Sequence, residues 1–184
     1  MTSILKVDNI QNASGTGTPY ITGAVLQVQY TQYTSTFSQS ITANTDTVLG
    51  SAVLTLNITP KSTSSIIRLD AHIMHEWGRG DAPTESMWFF YRDTTKLAAP
   101  SSGNRSTGIT PSKLSYFDND ASSTPEGVNY TYFDLPSSTS QITYKIGVRN
   151  HYGTNLHVNK TSDDHNTTQH ERGISFISAT EIGG

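Results

Sequence analysis

Ser65-Ile66-Ile67-Arg68-Leu69-Asp70-Ala71-His72-Ile73-Met74-His75 alternates with a period of two. Ile67, Leu69, Ala71, Ile73 and His75 share one side, and Arg68, Asp70 and His72 share the other, as a strand with one dry face requires. Outward from this stretch the same pattern recurs. Ala24, Leu26, Val28 and Tyr30 alternate with Val25, Gln27, Gln29 and Thr31, which predicts a strand whose dry face carries the first set. Leu54, Leu56 and Ile58 repeat it and stop at Thr59-Pro60. Val128, Tyr130 and Tyr132 alternate with Asn129, Thr131 and Phe133, while Ile142, Tyr144, Ile146 and Val148 alternate with Thr143, Lys145, Gly147 and Arg149. Leu156 with Val158 marks a short strand, and Ile174, Phe176 and Ile177 mark the last. Met87, Phe89 and Tyr91 alternate with Trp88, Phe90 and Arg92, so both sides are apolar; such a strand is central or covered by another chain. No stretch of about 12 residues carries a 3.6-residue period. The sequence therefore predicts an all-β protein, an antiparallel β-sandwich of the jelly-roll kind, with turn-rich loops between about eight to ten strands.

Composition agrees with that class. Among 184 residues, 15% are charged and 34% hydrophobic, with nine Tyr, six Phe and two Trp to supply large burial units. Ser and Thr number about 50, a hydroxyl-rich β composition that leaves no room for helical bundles or coiled coils. The net charge of −3 and the lack of any Lys/Arg run give no footprint for nucleic acid. With no cysteine, disulfides, thiol catalysis and thiolate metal sites are all excluded. No stretch approaches the ~20 apolar residues of a membrane helix, and the residues after Met1 do not resemble a signal peptide, so the expectation is a soluble, unexported chain.

Residues 1–23 read as an arm and linker, and 24–184 as the head domain. Ile4, Leu5, Val7 and Ile10 form a short apolar segment ahead of the breaker-rich Asn12-Ala-Ser-Gly-Thr-Gly-Thr-Pro19. So small a segment cannot bury its own side chains; it folds back on the domain or docks on a partner.

No catalytic set stands out. A Gly-x-Ser-x-Gly elbow and a Gly-rich phosphate loop are both missing, and Asp118 with Asp120, or Asp163 with Asp164, lie in loops that do not fix a carboxylate separation. His72 and His75 point to opposite faces of a strand, which argues against a shared metal; Asp163, Asp164, His165 and His170 form a polar loop in which solvated side chains are the simpler reading. We therefore expect no enzyme activity, no metal and no cofactor. Trp77, Arg79 and Asp81 join a flat ring to charged groups suited to a sugar or protein contact, unless Trp77 closes the end of the sandwich. Tyr152, beside His151, and His165 offer further loop contacts.

The stretch from Ser3-Ile-Leu-Lys-Val-Asp-Asn-Ile-Gln through Tyr20 into Gly23-Ala-Val-Leu-Gln-Val-Gln29 resembles the opening of small virion proteins of tailed bacteriophages, especially marine and cyanobacterial ones. Thr59-Pro-Lys-Ser-Thr-Ser-Ser-Ile-Ile67, Tyr132-Phe-Asp-Leu-Pro through Ile146, and Arg172-Gly-Ile-Ser-Phe through Ile182 resemble the same group, so the likeness spans nearly the whole chain. The head of such proteins is similar to the trimeric jelly rolls of the tumour necrosis factor type. The resemblance implies a virion location, a homotrimer, and docking of the arm on other virion proteins. On that footing Met87, Trp88, Phe90, Tyr130, Tyr132 and Phe133 are expected at the trimer interface, which would offset the low hydrophobic fraction of each chain. It further implies a tail-fibre-like role, with the loops at Trp77, Arg79, Asp81, Tyr152 and His165 meeting a host glycan or protein. A capsid decoration protein that cements the shell is the alternative, and a polysaccharide-degrading virion enzyme a more distant one. No long shaft, collagen-like repeat or heptad segment is present, so the chain is not itself an extended fibre.

Overall fold

A computed structural model describes residues 22–50, 53–78, 85–112 and 123–184. Ile4, Leu5, Val7 and Ile10 of the arm, and Arg79 and Asp81, lie outside these described residues. The described chain is all-β, with strands β1 (Val25–Tyr33), β2 (Phe37–Ile41), β3 (Thr47–Val48), β4 (Thr55–Ile58), β5 (Ile66–Trp77), β6 (Ser86–Arg92), β7 (Thr95–Leu97), β8 (Thr110–Pro111), β9 (Glu126–Asp134), β10 (Ile142–Asn150), β11 (Thr154–Val158) and β12 (Ser175–Ile182).

They build two antiparallel sheets. In the first, β5 is the spine: β9 runs along one edge, while β12 and then β11 run along the other, flanked in turn by β1 and β2. In the second, β10 lies between β6 on one side and β3 with β4 on the other, and β6 carries β7 and β8 on its far edge. The chain passes from β1 in the first sheet to β4 in the second, then β5, then the β6–β7 pair, then β9, β10 and β12, alternating between layers. This is the jelly-roll path.

The core fills the space between the sheets, as the period-two reading of β5 requires. Ile67, Leu69 and Ile73 are fully buried, facing Trp88, Phe90, Tyr144, Ile146 and Val148 of the second sheet. Beside them Arg92 pairs with Asp134 at 2.9 Å, and the Tyr144 hydroxyl donates to the same carboxylate at 2.6 Å, so this inward charge is partnered. Burial, with that hydrogen bond second, pushes the Tyr144 phenol well above its ordinary range.

Two sequence expectations are corrected here. First, β6 is central, the first of its two alternatives, lying between β10 on one edge and β7 with β8 on the other and with both sides covered by its own chain, so its residues expected at a trimer interface fall elsewhere. Trp88 and Phe90 point into the core, where Phe90 packs against Tyr130 with ring centroids 4.7 Å apart. On the outer side Phe89 is also buried, lying against the backbone of Gly147 and under the Lys96 ammonium, 4.1 Å from the ring centre. Trp88, Phe90 and Tyr130 therefore belong to the core and not to a surface between chains. Tyr132 packs on that core, half-buried, and Met87 is half-buried in the second sheet; of the six expected interface residues, Phe133 points outward and exposed.

Second, β1 presents the opposite side from the one expected. A bulge between Val25 and Gln27 shifts the register against β12, so Gln27 pairs with Glu181 and Thr31 with Ile177 on the inner side, while Val28 and Tyr30 turn outward. The cause is the buried carboxylate of Glu181, which requires donors: it accepts from Gln27 Nε2, Lys61 N and Ser65 Oγ, each at 2.6 Å. Thr31 Oγ1 donates to the Thr55 carbonyl at 2.7 Å on the same side.

Candidate functional site

The inversion of β1 creates the most unusual surface among the described residues. Register across the outer side of the first sheet sets three rows on β1, β12, β5 and β9 in turn: Gln32, Phe176, His72 and Asn129; then Tyr30, Ser178, Asp70 and Thr131; then Val28, Thr180, Arg68 and Phe133. Tyr30 is 72% exposed, Phe133 56%, Val28 53% and Phe176 38%. Down the middle runs a polar stripe in which Arg68 reaches Asp70 at 3.0 Å, Thr131 donates to Asp70 at 2.6 Å, and His72 Nδ1 meets Asn129 Oδ1 at 2.7 Å. A sheet face with aromatic side chains on both flanks and a hydrogen-bonded centre has the make-up of a protein contact, with apolar anchors and polar groups already positioned.

The expected receptor loops come out differently from one another. Trp77 is buried; its indole donates to Ser112 Oγ at 3.2 Å, the same oxygen that Trp88 Nε1 reaches at 2.8 Å. It closes the end of the sandwich with Trp88 and His75, whose rings lie 4.9 Å apart, and it is not free to stack on a sugar. Tyr152 is half exposed, its ring met edge-on by His151 at 4.6 Å, with His151 held by Asn44 at 3.1 Å. His165 is exposed, 5.2 Å from His170, which bonds Thr161. These two residues sit on loops that leave opposite ends of β11, so one tip does not carry both. In the second loop the Asp164 carboxylate is taken by Arg172 and, at 3.7 Å, by Lys160. Among the described residues no three His, Asp or Glu side chains converge as metal ligands.

Sequence reasoning did not find Tyr30 and Phe176 as surface residues. The missing signal is the bulge, which a count of alternating residues reads through. A second group also escaped it: Asp46 ahead of β3, Lys96 on β7 and Arg149 on β10 meet above Phe89, with contacts of 3.0 Å from Lys96 and 3.3 Å from Arg149 to the two carboxylate oxygens.

No family model matches the chain, and no curated protein matches it. Among solved structures, the VP2 subviral particle of infectious bursal disease virus is similar over 86% of this chain and 42% of that one, with 11% identity and a TM-score of 0.34.

Proposed function

We propose that this chain is a non-enzymatic virion surface protein of a tailed phage, homotrimeric through the outer side of its first sheet and anchored to the particle by residues 1–23. The observation that carries the reading is the inverted strand. β1 turns Val28 and Tyr30 to solvent and Gln27 and Thr31 inward, so that with Phe133 and Phe176 one sheet face carries four exposed large apolar side chains around a hydrogen-bonded polar stripe. Self-association would cover it. The threefold stoichiometry rests on the likeness of the head to trimeric jelly rolls, and the virion setting on the resemblance of the arm and the distributed stretches.

With one sheet shared between copies, the head turns its second sheet and its loops outward. Tyr152 and His165 then serve as candidate contacts for a host glycan or protein in a tail-fibre-like role. Deleting residues 1–23 tests the anchoring half: the head is expected to assemble as before and to be missing from particles, and normal packaging of the truncated chain would place attachment in the head. Immunogold labelling separates two locations. Signal at the tail supports attachment to the host, whereas signal over the capsid makes the protein a decoration that cements the shell.

A further inference from the structure

The outer side of the second sheet carries a pocket of about 320 Å³ whose walls are almost wholly polar. Asp46, Lys96 and Arg149 line one side and the loop Gly103–Thr107, with Arg105, lines the other. Three cations thus surround one carboxylate, in a chain whose overall charge is −3. Asp46 already serves two of them, Lys96 at 3.0 Å and Arg149 at 3.3 Å. Arg105 has no carboxylate within ion-pairing distance among the described residues and rests its Nη1 on Ser102, at 3.3 Å from the carbonyl and 3.4 Å from the hydroxyl. Arg149 Nε is buried with no hydrogen-bond partner. The cluster therefore holds more positive charge and more donors than its own acceptors use, and an oxyanion is the group that balances both.

The rest of the lining narrows the ligand. Asn104, Ser106 and Thr107 offer amide and hydroxyl groups, and no aromatic ring and no wholly apolar side chain lines the pocket. Such walls fit a hydroxyl-bearing molecule approached edge-on, and the volume sits at the low end for a small-molecule site. Lys96 is held in place from below, its ammonium over the Phe89 ring, so the cationic side is preorganised.

We propose that this pocket binds one sugar residue bearing an oxyanion, a carboxylate or a sulfate, with Arg105 and Lys96 as the anion contacts and Asn104, Ser106 and Thr107 on the sugar hydroxyls. The pocket belongs to the head itself, whether the protein sits on a tail or a capsid.

The test is titration of the full chain, followed by NMR at low ionic strength, with D-glucuronate, glucose 6-sulfate, glucose and inorganic sulfate as probes. Saturable shifts at residues 103–107 are expected with one or both acidic sugars, stronger than with inorganic sulfate, and none with glucose. If glucuronate alone saturates, the anion is a carboxylate; if glucose 6-sulfate alone does, it is a sulfate. Arg105→Gln, on an exposed loop, should weaken the acidic sugar about tenfold or more. Lys61→Gln, an equal change of charge at an exposed side chain outside both this pocket and the outer face of the first sheet, should leave it unchanged. Equal weakening by both variants, or acidic sugars that bind no better than glucose, would overturn the site. Inorganic sulfate that binds as tightly as the sugars would overturn the sugar assignment.

Discussion

The His75 imidazole stands next to last in the inner row of β5, before Trp77, edge-on to the Trp77 and Trp88 indoles and fully buried, with Nε2 lacking a partner. Burial holds its pKa down to about 4 from an ordinary 6.5, against a weaker opposing pull from the Ile73 carbonyl. The unfolded chain thus binds a proton that the folded one refuses between these two values. Stability from this residue is intact above pH 6.5 and falls as the pH drops, by about 3 kcal/mol at pH 4. Urea unfolding at pH 7 and pH 4.5 checks it: the wild type should lose about 2 kcal/mol more than His75→Leu, since carboxylates common to both cancel in the comparison. Parallel losses would mean that His75 accepts a proton in the folded state.

At the scale of the element, β6 and β10 pack by a missing atom. Gly147 pairs with Phe89, and a Cβ at position 147 would lie 2.3 Å from Phe89 Cε2, on a strand held from both sides. Gly147→Ala should cost about 1–3 kcal/mol as Phe89 is forced from under Lys96, and a guanidinium melt reads it directly. A melt unchanged from wild type would show that the ring has room to move. Strands also mark what a sequence discloses. β5 and β10 are legible because their apolar residues alternate without a break, and both have covered inner sides. β2 escapes notice because Ser38, Gln39 and Ser40 dominate it and its hydrogen bonds to β11 leave no hydrophobic trace. The side that β1 presents was hidden by one extra residue at a bulge, and what covers the outer side of β6, itself legible as apolar on both sides, by Gly147 on a strand distant in sequence. The oxyanion pocket was invisible for a related reason: Asp46, Lys96, Arg105 and Arg149 come together only when the second sheet is assembled.

For the whole molecule, a thin core and an exposed aromatic sheet face belong to one account. Trp88, Phe90, Tyr130 and Tyr144 are buried in the chain's own core. The proposed assembly surface is the outer face of the first sheet, where Tyr30, Val28, Phe133 and Phe176 flank the Arg68, Asp70 and His72 stripe. An obligate interface there would bury on the order of 2,000 Å² or more in total. Because these side chains contribute little to the core, changing them should separate assembly from folding. Light scattering of the purified chain at micromolar concentration, beside the Tyr30→Lys/Phe176→Lys variant, is the most direct measurement. The wild type should scatter as three chains of 20.0 kDa and the variant as one folded chain. A wild type that is folded and monomeric at that concentration would contradict the account.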